Sequence, residues 1–203
     1  ITTAPEPLRA RFAGPDGKDL SLSDLVETAT AMRPNRQAID PINTTKAAIV
    51  SLARRVRYLD DELDDLAQQR QALIDAAAPP ELLAEHGVGP TVAADLLITF
   101  GDNPDRVHTE AAFAALCGVS PIDASSGRQQ RHRLNRNGDR WANSALWRIV
   151  TVRMAHHRPT QAFIAERIAQ GKTKREAIRS LKRYVARHIW KLLHNHQPSL
   201  DHL

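Results

Sequence analysis

The chain has 203 residues, 42% hydrophobic and 4% aromatic, enough apolar material for a core built on Leu, Ala, Val and Ile. Its single cysteine, Cys117, excludes an intramolecular disulfide framework and a Cys-based zinc site, and no apolar run approaches the roughly 20 residues that span a bilayer. The net charge of +5 conceals a split: residues 128–191 carry 17 basic and 3 acidic side chains, and the other 139 residues carry 11 basic and 20 acidic.

A like-sign block of that density points to a polyanion partner, and without apolar faces beside the charges it favours nucleic acid over an anionic membrane. No signal peptide opens the chain, so a soluble, cytoplasmic protein is expected. The sequence begins at Ile1 rather than Met, as a piece of a longer protein would.

Residues 1–43 read as a connecting arm: Pro5, Pro7, a Gly14, Pro15, Asp16, Gly17 turn signal, and a short helix near 22–32 that Ser21 or Ser23 can cap. Residues 44–79 read as one long helix. Ile49, Leu52, Val56, Leu59, Leu63, Leu66, Arg70 and Leu73 alternate in steps of three and four, a heptad seam broken only by Arg70. A strict 3.5-residue period favours supercoiling with another helix, so a homo-oligomer through this coiled coil is expected, with an intramolecular hairpin as the alternative. Asp60, Asp61, Glu62, Asp64 and Asp65 lie mostly off the seam and read as a solvated face. Pro79 and Pro80 stop the helix.

A compact helical domain is expected over 80–195, followed by a tail at 196–203. It opens with a short helix running into Gly87, Val88, Gly89, after which Pro90 suits the first position of a second helix carrying Thr91, Ala93 and Leu96. This resembles a helix-hairpin-helix DNA-binding motif, in which glycines bring backbone N–H groups close to a phosphate at a helix N-terminus. A plain tight turn is the alternative. Asp102, Asn103 and Pro104 mark a turn, and Thr109 can cap a helix over 110–116. Residues 118–138 lack helical periodicity and read as loop with a short strand pair.

Helices follow over about 139–156 and 159–170, the second stopped by Gly171. The last opens on a capping box at Thr173 and Glu176, and Ile178, Leu181, Val185, Ile189 and Leu192 form its apolar stripe. Arg175, Arg179, Lys182, Arg183, Arg187 and Lys191 cover its other faces, some within reach of phosphates. Trp141 and Trp147 are expected in the core, as is Cys117. His156, His157, His194, His196 and His202 offer no ligand set with carboxylate or cysteine, so no metal site is expected here.

The stretch 115–146 carries the most specific pattern: Ala115-x-x-Gly118-Val119-x-Pro121, then Ser126–Gly127, the basic run Arg131, His132, Arg133, Leu134, Asn135, Arg136, Asn137, Gly138, Asp139, Arg140, and finally Ala142, Asn143, Ser144, Ala145, Leu146. It resembles the C-terminal signature of bacterial insertion-sequence transposases of the 110/116/902 family. The coiled coil, the hairpin and a later Gly171, Lys172, x, Lys174, Arg175, Glu176 follow in the family's order, so the likeness covers roughly 45–193.

The resemblance implies a two-part enzyme: an N-terminal RNase-H-like domain whose four acidic residues hold divalent metal (Mg), and a C-terminal part supplying a serine nucleophile for DNA cleavage and exchange. Some relatives choose targets with a structured guide RNA. The acidic domain is not among these residues, so the resemblance implies activity only when the chain is joined to it. The matching serine is Ser126, with Ser125 the close second. Arg128, Arg131, Arg133, Arg136 and Arg140 supply planar donors for phosphate oxygens, and His132 is a candidate proton carrier. Lys172, Lys174 and Arg175 join Gly87, Val88, Gly89 and Thr91 as candidate nucleic-acid contacts. Without the resemblance, Ser-Ser-Gly beside arginines reads as a phosphate-binding loop. The expected fold is mainly α: a long coiled-coil helix, then a helical domain with a helix-hairpin-helix and an irregular serine-bearing loop. The alternative function is a non-catalytic helix-hairpin-helix nucleic-acid-binding module left by truncation.

Overall fold

The computed structural model describes residues 3–14, 20–35, 37–101, 106–123, 132–133, 135 and 137–196. The fold is mainly α, with one two-stranded antiparallel sheet among the described residues. The chain divides into two compact units, 1–69 and 70–203.

In the first unit, α1 (Glu6–Arg9) runs into a 3-10 turn at Ala10–Phe12, followed by α2 (Leu22–Ala31). The Ser21 hydroxyl accepts the Asp24 N–H, satisfying one of the free donors that open α2. α3 (Pro41–Ala77) begins at Asp40, whose carboxylate accepts from the Asn43 backbone and side chain. Phe12, Ala29, Met32, Val50 and Ala53 make a small core, with Leu25, Val26 and Ile49 packed against it. Residues before α3 therefore bury apolar surface on its N-terminal turns. Elsewhere on the heptad seam Val56 is half-buried, and Leu52, Leu59, Leu63, Leu66 and Leu73 are exposed.

In the second unit, the end of α3 contributes Ile74 and Ala78 to the main core. α4 (Pro80–Leu83) and α5 (Pro90–Phe100) follow, then α6 (Glu110–Leu116), β1 (Ile122–Asp123), β2 (His132–Arg133), α7 (Arg140–His156), α8 (Arg158–Ala169) and α9 (Lys174–Asn195). α7 packs against α5, α8 and α9, and α9 also covers α6 and α4. The caps follow local chemistry: Thr109 accepts from Ala112 N, Asp139 from Ala142 N, and Thr173 and Glu176 close a full capping box.

The stripe of α9 is buried at Ala177, Ile178, Leu181, Val185, Ala186, Ile189 and Leu193, with Leu192 at its edge. At about 1.5–3 kcal/mol for each large aliphatic side chain, that face is a principal stabiliser of the unit. On α7 the buried stripe is Ala142, Ala145, Leu146, Ile149 and Val150. The two tryptophans expected in the core fall off this stripe and face outward, Trp141 70% and Trp147 49% exposed. Small alanines at 142 and 145 occupy the core positions the rings would have filled.

No helix among the described residues is long and apolar enough to cross a membrane.

Candidate functional site

The connection from α6 to α7 is stitched at its base. Gly118 and Gly138 both have positive φ, +66° and +103°, and their backbones touch. Asp139 N–H donates to the Leu116 carbonyl at 2.7 Å. The Asn143 amide donates to the carbonyls of Cys117 (2.9 Å) and Gly118 (3.3 Å). Further out, Asn135 Nδ2 donates to Ser120 Oγ at 3.0 Å, and β1 pairs with β2, Ile122 opposite Arg133 and Asp123 opposite His132. These contacts make a stem whose strands bracket residues 124–131. Ser125, Ser126, Arg128 and Arg131 lie outside the described residues, as does Arg136.

Beside the stem is a half-open cleft of about 720 Å³, walled by the α6 end, the stem, and the α8–α9 junction. Arg133, Arg167, Lys172, Arg179, Lys182 and Arg183 line it, with His132 at the stem, and Glu176 is the acidic lining residue among those described. Thr173 N and Oγ1 both donate to Glu176 Oε2 at 2.8 Å, and these bonds hold its carboxyl below the ordinary glutamate value.

Lys182 is the deepest cation, only 8% exposed, and its Nζ donates to Asn143 Oδ1 at 2.6 Å. Burial pulls its pKa down to about 8. The nearby Cys117 thiol is fully buried, and burial, with Asp139 adding to it, pushes it up to about 12, so it stays a protonated packing group.

The expected hairpin is organised differently from the cleft. Gly87 has φ +89°, and a Cβ there would sit 3.1 Å from the Ile149 carbonyl oxygen and 3.2 Å from Ile149 Cα. Close packing on α7 therefore requires glycine at 87, whatever it does for a ligand. Gly89 meets no such limit. Val88 packs against the core and its N–H is used by the Glu85 carbonyl, whereas Gly89, Pro90 and Thr91 are exposed at the α5 N-terminus. The turn is clamped from behind: Glu85 receives Arg153 from α7 and His188 Nε2 (2.6 Å) from α9, while Arg153 Nε donates to the His86 carbonyl at 2.7 Å. Burial pushes the Glu85 carboxyl up, but the bonds from His188 and Arg153 outweigh it and leave the pKa below the ordinary value.

The structure thus gathers His132, Arg133 and Lys172 at the cleft and leaves the hairpin elsewhere. Asn143 and Ile149 are six residues apart on α7, roughly 9 Å along the axis. Arg140 is exposed at the start of α7, and Lys174 and Arg175 are exposed on the first turn of α9, outside the cleft lining. Of the two residues at the centre of the site, Asn143 stands in the sequence signature without an assigned role, and Lys182 is one of the cations on the last helix, some of them within reach of phosphates. Among the described residues, no three His, Cys, Asp or Glu side chains converge as a metal site requires, so no metal step is assigned to them.

The cation-lined cleft and the stitched loop stem lie side by side in the second unit. Residues 81–165 match the family model described as the Transposase IS116/IS110/IS902 family. The matched segment runs from α4 into α8, so α9 with Lys182 lies beyond it. No curated protein matches the chain.

Proposed function

We propose that this chain is the C-terminal DNA-handling part of an insertion-sequence transposase, and that the loop bracketed by β1 and β2 supplies its nucleophile, Ser126, with Ser125 the alternative. The observation that carries the reading is the stem itself. Its strands flank the serine-bearing residues in sequence, and the stem itself borders a cleft rich in arginine and lysine, inside a segment that matches a transposase family.

In this reading the Ser126 hydroxyl attacks a phosphodiester phosphorus, the leaving strand departs with its hydroxyl, and arginines such as Arg133 neutralise the charge gathering on the phosphate. His132 is the candidate proton carrier. The exposed Gly89 to Thr91 segment at the α5 N-terminus serves the duplex backbone, and the open leucine seam of α3 pairs with a second copy. A structured RNA is a further candidate partner for the basic surface. The second reading, binding without cleavage, rests on the cleft cations, which hold phosphate without a covalent step.

The test joins the chain to an acidic RNase-H-like domain of the kind the resemblance implies and traps protein–DNA adducts. An adduct lost with Ser126→Ala and kept with Ser125→Ala supports the assignment, and the reverse moves it by one residue. An adduct that survives both variants, or none at all with DNA still bound, leaves the binding reading.

A further inference from the structure

The buried Lys182 has a cost with no visible return inside the fold. An ammonium taken out of water loses several kcal/mol of hydration, normally recovered from a carboxylate. Here the contact is a neutral amide oxygen, Asn143 Oδ1, and no described carboxylate forms an ion pair with Lys182. A lysine methylene chain ending in a methyl would pack the same space at lower cost. The ammonium nevertheless lines the cleft, whose rim adds Arg133, Arg179 and Arg183. The Asn143 amide is pinned by the Cys117 and Gly118 carbonyls, which turns its oxygen toward Lys182 and holds the amine in place. A buried cation whose protein partner is a neutral amide keeps its charge available to an anion in the cleft it lines.

Size narrows the anion. A cleft of about 720 Å³ lies in the range of roughly 300–1,000 Å³ that encloses a small organic ligand, room for one or two nucleotides and not for a duplex. Resting on the reading that this domain handles DNA, we propose that the cleft takes an unpaired DNA strand, with Lys182 at its floor as the contact to a single phosphodiester and Asn143 as its positioning residue. Lys182 then distinguishes a separated strand from a duplex, whose phosphates meet only the exposed rim and helix-end cations.

Fluorescence anisotropy with a short labelled single-stranded oligodeoxynucleotide, and with the same sequence as duplex, tests this on the full chain. Lys182→Met removes the charge, and Lys182→Gln removes it while keeping a donor for Asn143. Thermal melts confirm that at least one variant folds. Loss of a charge-assisted contact predicts about ten-fold or more weaker single-strand binding, with duplex binding changed less than about three-fold. Arg158→Gln, an exposed cation outside the cleft, should change both only slightly. Unchanged single-strand affinity in the folded variants overturns the subsite while the DNA reading stands. Equal losses on both probes overturn the preference for an unpaired strand. If the wild type binds neither probe at low salt, the DNA reading itself falls and the subsite with it.

Discussion

Gly118 and Gly138, twenty positions apart in sequence, touch backbone to backbone: a Cβ on Gly138 would lie 2.5 Å from Gly118 N and 2.7 Å from Gly118 Cα. A Cβ on Gly118 would lie 2.3 Å from the Asn137 carbonyl oxygen. Since the obstructing atoms are backbone, no side-chain rotation relieves either clash. Gly118→Ala and Gly138→Ala should each cost about 2–4 kcal/mol, roughly 1 from the left-handed backbone and the rest from displaced chain. Gly171 supplies the comparison, because its φ is +82° but a Cβ there meets nothing within 4 Å. Gly171→Ala should cost only about 1 kcal/mol. Denaturant midpoints for the three variants check the order.

Lys182 and Cys117 pull stability in opposite directions as pH rises. Lys182 titrates near 8 in the fold against 10.5 for a free lysine, so above 8 the unfolded chain holds the extra proton and stability rises with pH. Cys117 titrates near 12 in the fold against 9.0 when free, so above 9 the unfolded chain loses the proton first and stability falls. Between pH 8 and 9 the lysine contribution stands largely clear of the cysteine one. Wild type should gain stability across that interval relative to Lys182→Met, which lacks the titrating group. Parallel curves for the two proteins would sink the assignment.

Cutting the clamp behind the α4–α5 turn should loosen the second unit. Arg153 is largely buried, and Glu85→Ala leaves it, among the described residues, the His86 carbonyl alone, at a cost of about 2 kcal/mol. The folded Glu85 pKa is depressed, so its contribution is present above the ordinary carboxylate pKa and fades as pH falls through that region. Thermal melts of wild type and Glu85→Ala at neutral and mildly acidic pH should therefore converge toward the acid end.

The exposed leucines of α3 make a separate prediction. If the seam pairs two copies, Leu59→Asp or Leu63→Asp places a charge in that interface and should give a monomer by light scattering. A wild-type chain that is already monomeric at high concentration would argue against self-pairing.

What the sequence revealed was what local chemistry controls. The caps at Thr109 and Thr173, the stop at Pro79 and Pro80, and the stripe of α9 each depend on residues within a turn or two of one another. The strand pair between the two glycines was expected, but the reason for those glycines was not, because each is dictated by backbone from the far side of a loop. The outward tryptophans were misjudged by ring size. The pattern Ala142, Ala145, Leu146, Ile149, Val150 already traces one helical face, and neither Trp141 nor Trp147 belongs to it. Lys182 was hidden among surface cations because its burial depends on Asn143, thirty-nine residues earlier, and no spacing rule links them.

The placement of the rings also divides the chain spectroscopically. All three tryptophans, 141, 147 and 190, lie in the unit spanning 70–203, and the unit spanning 1–69 has none. Trp190 is partly buried, donates to the Val107 carbonyl at 3.0 Å and stacks on His194, so its emission reports the packing of α9. Trp141 is solvent-facing two residues before Asn143, and its emission should respond to a strand arriving nearby. Unfolding followed by tryptophan fluorescence will thus register the second unit alone, and far-ultraviolet dichroism, which also sees α3, will register both units. A gap between the two midpoints would measure how independently the units melt.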